Sequence, residues 1–111
     1  MPTIDRRRGG DRRDNERYKI HIEIEWENSS GRNPGTISDI SESGFFVLSS
    51  GEVEDGESVK IFFPLADGRK FPFEGKVVNH IFEIGFAMQF IELSDAQKNF
   101  LQKLINRLRN K

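Results

Sequence analysis

The chain has 111 residues, of which 35% are hydrophobic and 32% charged, with ten phenylalanines, no cysteine and a net charge of −1. This suffices for one domain with a real core and is too rich in bulky apolar side chains for a disordered chain; the lack of cysteine excludes disulfides and thiolate metal sites. No run approaches the roughly 20 apolar residues of a membrane span, and the N-terminus lacks the apolar core of a signal peptide, so a soluble, cytoplasmic protein is expected.

The charge is unevenly spread. Residues 1–17 carry six arginines against four acids, +2, whereas the remainder carries eleven basic and fourteen acidic residues, −3. A short basic arm on a mildly acidic body argues against a broad nucleic-acid-binding face and leaves room for a local anion site. Residues 1–11 contain Gly9-Gly10 and little that is apolar, and are expected to form a flexible arm ahead of a domain spanning 12–111.

From Tyr18 the pattern changes. Tyr18, Ile20, Ile22, Ile24 and Trp26 alternate with Lys19, His21, Glu23 and Glu25, the period-two signature of a strand with one buried face. Asn28 to Gly35, rich in Ser, Gly, Asn and Pro, reads as a loop, and strands are expected near 35–40 and 45–48. After a polar loop, Val59 to Leu65 forms a fourth strand, and Asp67-Gly68 signals a tight hairpin into a fifth at 71–79. A turn near His80 leads to a sixth at 83–92. Six short strands joined by turns and not by helices imply a closed or nearly closed antiparallel barrel.

The chain ends in a helix. Ser94-Asp95-Ala96-Gln97 fits a capping box, and Phe100, Leu101, Leu104, Ile105 and Leu108 fall on one helical stripe suited to packing on the barrel. Arg107, Arg109 and Lys111 suit the negative end of the helix dipole. The expected class is therefore mainly β, a six-stranded antiparallel barrel with a C-terminal helix and a flexible N-terminal arm.

Catalytic and metal signatures are missing. His21 and His80 stand far apart, His21 on the polar face of its strand, and no nucleophile elbow, phosphate-cradling lysine loop or HExxH helix occurs. Glu23, Glu25 and Glu27 read as a solvated outward face. The protein is expected not to be an enzyme and to need no cofactor or metal.

Two short motifs remain. Arg13 and Arg17 stand four residues apart directly before the first strand, outside the apolar pattern. A guanidinium is a fixed fork of donors that suits phosphate oxygens or the O6/N7 edge of guanine, and its flat face stacks on a base. Basic arms are also ordinary solvated tails, so the pair alone decides little. The second motif is Asp39-x-Ser41-x-x-Gly44. Such residues are common turn-formers, but a carboxylate and a hydroxyl two apart on a strand face the same way and could meet one ligand edge, while Gly44 lets the backbone bend or approach closely.

Together, Arg13-x-x-x-Arg17 and Asp39-x-Ser41-x-x-Gly44, with Gly44-Phe45-Phe46-Val47, Ile84-Gly85-Phe86-Ala87-Met88-Gln89-Phe90 and the terminal helix, resemble the PilZ domain family over about residues 12–108. The resemblance implies a six-stranded barrel that binds the bacterial second messenger cyclic di-GMP. It implies that Arg13 and Arg17 contact guanine edges and phosphates, that Asp39 and Ser41 read a guanine, and that Gly44 shapes the loop. Arg12 adds a guanidinium compatible with an intercalated ligand dimer, hence two messengers per chain. Arg8 with Arg12 satisfies the same spacing, but Arg17 abuts the strand as the family pattern requires, so Arg8 is at most auxiliary.

A ligand with two negative charges and two guanines needs charge-assisted donors, stacking surfaces and an edge reader, and these residue types supply them. The arm is expected to order over the barrel when ligand binds, altering one face for a downstream protein partner. Two other readings stand beside this one. One is a messenger-free adaptor acting through protein contacts, although such relatives typically lack both motifs. The other is a small barrel that binds nucleic acid or another polyanion through its arm, with steep salt dependence.

Overall fold

A computed structural model describes residues 16–110. Six strands run β1 Tyr18–Asn28, β2 Gly31–Ile40, β3 Gly44–Leu48, β4 Ser58–Pro64, β5 Lys70–Ile81 and β6 Gly85–Phe90, followed by one helix, α1, Asp95–Arg109. They close in the order β1-β2-β3-β6-β5-β4, every neighbouring pair antiparallel. The barrel closes through a short β1–β4 ladder, from Glu25↔Phe62 to Glu27↔Lys60.

The alternation in β1 puts Ile24 and Trp26 into the core, with Tyr18, Ile20 and Ile22 half-buried against it. The outward glutamates are paired more than expected. Glu25 accepts from Lys70 at 3.2 Å and Arg32 at 3.4 Å, and Glu27 lies 3.6 Å from Arg32. Hydrogen bonding to Lys70, and then its charge, hold the Glu25 carboxyl below the ordinary range.

Three boundaries differ from the sequence reading. The β1–β2 pairing continues to Asn28↔Gly31, so the expected loop shrinks to Ser29-Ser30 and Pro34 lies within β2. Pro34 is tolerated because its carbonyl accepts from Ser49 Oγ at 3.0 Å, on the side where β3 has already ended, so no ladder donor is lost. β5 runs past His80 to Ile81, since an extra residue at Val78 shifts its register on β6 and pairing resumes at Asn79↔Ala87. β6 is shorter than expected because Glu83 (φ 61) and Glu92 (φ 49) adopt left-handed backbone, which a strand cannot contain.

The core is largely aromatic. Phe45, Phe63, Phe73, Phe90 and Phe100 form a chain of edge-on and tilted contacts with ring centroids 4.9–6.4 Å apart. Phe100 comes from α1, which covers the barrel end formed by the start of β1, β3 and β5. The capping box is as read: Ser94 Oγ accepts from the Gln97 amide at 3.1 Å and Gln97 Oε1 from the Ser94 amide at 2.7 Å. Leu101 and Ile105 are buried, while Leu104 and Leu108 pack at the margin of the core. The far end centres on Trp26, whose ring meets Phe86 edge-on at 4.9 Å and whose Nε1 donates to Ser49 Oγ at 3.0 Å.

Phe73 is fully buried and touches rings on four other elements. Phe73→Ala is expected to cost about 3–5 kcal/mol in chemical denaturation, a large share of a small domain's stability of about 5–15 kcal/mol.

Candidate functional site: the rim at the helix-covered end

Asp39 owes its orientation to a bulge. Ile37 pairs with Val47 and Asp39 with Phe46, so Ser38 is an extra residue in β2 relative to β3. A regular strand would put residues 37 and 39 on the same face. With the bulge, Ile37 and Ile40 both point inward, fully buried, while Asp39 lies on the outer face between Lys19 of β1 and Phe46 of β3. A matching extra residue in β1 between Lys19 and Ile22 carries the adjustment across to the neighbouring strand.

This placement brings the two sequence motifs together. Arg17 Nε donates to Asp39 Oδ1 at 2.6 Å, although the residues are 22 apart in sequence. Both side chains remain accessible, Arg17 at 42% and Asp39 at 27%. Arg8, Arg12 and Arg13 lie outside the described residues, as does the expected arm.

Ser41 does not share with Asp39 the strand face that the spacing of the second motif suggested. β2 ends at Ile40, and Ser41 is fully buried beyond it. Its Oγ accepts from the backbone amides of Ser43 and Gly44, both at 3.2 Å, and contacts Ser43 Oγ at 3.1 Å; its own amide donates to the Gly44 carbonyl at 2.9 Å. The hydroxyl therefore builds the turn. Gly44 sits where a Cβ would collide with the Met88 carbonyl oxygen of β6, so its small size serves the β3–β6 approach. The motif is a scaffold of two residues presenting one, Asp39.

The sequence reading missed a third component. Arg109, in the last turn of α1, reaches this rim: its Nε donates to Tyr18 Oη at 3.1 Å and its Nη2 lies 3.9 Å from Glu42. Tyr18 Oη in turn donates to Glu16 at 3.1 Å, and the Arg109 guanidinium lies 5.8 Å from the Tyr18 ring centre. Helix periodicity marks Arg109 only as a polar residue suited to the dipole; its contact with Tyr18, 91 residues away, depends on how α1 docks. Lys19 was legible only as outward, and the register makes it the cross-strand neighbour of Asp39.

Among the described residues no group of three or more His, Cys, Asp or Glu side chains is arranged to hold a metal ion. The rim is instead a cluster of guanidinium, ammonium, phenol and carboxylate groups, suited to an anionic ligand with hydrogen-bonding edges.

A family model for the PilZ domain matches residues 11–107. The chain belongs to the PilZ domain family. Solved structures agree on the fold. The PilZ domain of CeSA from a cellulose-synthesizing bacterium superposes with a TM-score of 0.66 at 21% identity, covering 85% of this chain and 98% of that one. The PilZ domain of YcgR from Escherichia coli, solved with c-di-GMP, gives 0.70 at 15% identity over 85% of this chain and 88% of that one. The inhibitor of motility MotI from Bacillus subtilis gives 0.70 at 19% identity, and there 86% of this PilZ chain covers half of the larger protein. No curated protein matches the chain.

The geometry separates the roles of Ser41 and Asp39. Ser41→Ala strips the buried Gly44 amide and the half-buried Ser43 amide of their acceptor and is expected to cost about 1–3 kcal/mol, whereas Asp39→Asn, at a half-exposed ion pair, should cost less than about 1 kcal/mol. Urea denaturation of the two variants side by side checks this.

Proposed function

We propose that this protein is a receptor for cyclic di-GMP, with the rim around Arg17 and Asp39 as its binding site. The observation that carries the reading is the 2.6 Å contact between Arg17 and Asp39, which joins both family motifs at one accessible point. YcgR and the Borreliella burgdorferi protein PlzA, two structural neighbours, are solved in complex with c-di-GMP.

In this mechanism the Asp39 carboxylate accepts from N1–H and N2–H₂ of a guanine, and Arg17 passes from Asp39 to the guanine O6/N7 edge or a phosphate. The exchange is cheap, because an exposed ion pair contributes only about 0–1 kcal/mol. Arg13 supplies the second guanidinium fork, and Arg12 a stacking surface that suits two intercalated messengers per chain. Arg8 is auxiliary. Ser41 and Gly44 hold the turn that presents Asp39. Residues 5–17 become ordered against the barrel as ligand binds, and the altered face is read by a downstream protein. The protein acts by binding and not by catalysis, in the cytoplasm. Among the described residues no helix is long and apolar enough to cross a membrane.

Titration calorimetry with cyclic di-GMP is expected to give saturable binding that GTP does not reproduce and that moderate salt leaves largely intact. Arg13→Ala, Arg17→Ala and Asp39→Ala should each weaken it by about 10- to 100-fold, the loss of one charged hydrogen bond or more. Absence of binding by the wild type would favour a messenger-free adaptor. Binding of any polyanion that vanishes with salt would favour a generic cationic arm. Amide exchange across residues 5–17 should slow with ligand; equal rates would remove the ordering step.

A further inference from the structure

The opposite end of the barrel carries a second feature that the proposed ligand site does not use. The β5–β6 hairpin holds Phe82 at 73% exposure and Ile81 and Ile84 at about half, with Leu48 of β3 at 40% beside them. Leu48 and Ile81 both pair with Gly85, one from each side, so they flank a position without a side chain on the outer face of the sheet. Gly85 cannot be filled, because a Cβ there would strike the Val47 carbonyl oxygen. The close approach of β3 to β6 at Gly85 leaves Leu48 and Ile81 exposed on either side of it, an apolar patch with Phe82 and Ile84.

The patch is tied down by backbone hydrogen bonds. The Ile84 amide donates to the Ile81 carbonyl at 2.9 Å, closing the turn, and the Ile84 carbonyl accepts from the Ser49 amide at 3.0 Å, tying the hairpin to the β3–β4 loop. Fully burying one large apolar side chain is worth about 1.5–3 kcal/mol, so several fixed in water on one end mark an interaction surface.

Charge selects the occupant. Next to the hairpin lies a cavity of ≈ 530 Å³ between the β1–β2 hairpin, the β3–β4 loop and the β5–β6 hairpin. Glu52, Glu54, Glu57 and Glu83 line it, and among the described residues no lysine or arginine does. A two-fold pairing of this face with a second copy would set carboxylates against carboxylates. The chain's own arginine-rich residues 5–17 carry the right charge but no apolar side chain to cover the patch.

We propose that this end of the barrel is a docking surface for a cationic amphipathic segment of a partner protein. Its lysines or arginines meet the glutamate rim, and its apolar face seats against Leu48, Ile81, Phe82 and Ile84. The surface lies at the end remote from Arg17 and Asp39 and does not depend on what binds there.

The test uses the full-length protein, isotope-labelled for amide NMR, and three probes: an amphipathic leucine–lysine peptide, its leucine–glutamate counterpart, and a peptide of residues 1–17. The leucine–lysine peptide is expected to shift amides at Leu48, Ile81, Ile84 and Glu83 and to bind about tenfold or more weakly to Phe82→Ser and to Glu52→Lys/Glu83→Lys. These exposed substitutions should leave the melting temperature and cyclic di-GMP binding unchanged, so a loss of peptide binding cannot be ascribed to misfolding or to the ligand site. Equal binding by the leucine–glutamate peptide would overturn the proposal. So would unchanged binding by either variant, or equally tight binding of the 1–17 peptide, which would make a second copy the occupant.

Discussion

In a closed barrel of six strands every residue faces either a crowded interior or the outer surface, and one inserted residue exchanges the two for everything beyond it. Ser38 is that residue in β2. Paired as in a regular strand, it would send the Asp39 carboxylate inward after Ile37, where an unpaired charge costs several kcal/mol, and turn Ile40 outward. With Ser38 bulged out of the ladder, Ile40 fills the core, Asp39 emerges beside Lys19, and the start of β1 delivers Arg17 to within 2.6 Å. The rim exists because the ladder is irregular there.

The helix makes that end of the barrel more than a lid. Its apolar stripe contributes Phe100, Leu101 and Ile105 to the core, and its last turn sets Arg109 on Tyr18, at the root of β1, and near Glu42, in the turn built by Ser41. Strand, turn and helix therefore share one cluster of polar contacts. These are surface contacts, individually weak, and their effect is geometric: they fix the approach of three chain segments around the Arg17–Asp39 pair.

The two ends of the barrel differ in chemistry because they are finished by different devices. One end is covered by α1 and rimmed by guanidinium, ammonium and carboxylate groups. The other is finished by the Trp26–Phe86 contact, left open around a glutamate-lined cavity, and fringed by apolar side chains of the β5–β6 hairpin. A ligand at the first end and a protein at the second would not compete for the same surface. This separation is what a small receptor needs if it is to be bound by a messenger and held by a partner at once.

Much of this was readable from residue order. Period-two alternation marked β1 from its start at Tyr18 to Trp26, Asp67-Gly68 marked the β4–β5 hairpin, and Ser94-x-x-Gln97 with its apolar stripe marked α1, because these signals act over a few residues. The same holds for Arg17 and Asp39 as candidates, since arginines outside an apolar pattern and a carboxylate at a strand end need no fold to stand out. The ends of β2, β5 and β6 were not readable. They depend on which side of Pro34 lacks a neighbour, on an inserted residue at Val78, and on left-handed backbone at Glu83 and Glu92. Nor could spacing reveal that Ser41 turns inward to bind the Ser43 and Gly44 amides, or that Arg109 crosses to Tyr18. Residue order determined the elements and the two motifs. Tertiary structure decided which way Asp39, Ser41 and Arg109 face, because bulges and helix docking are settled by core packing between segments distant in the chain.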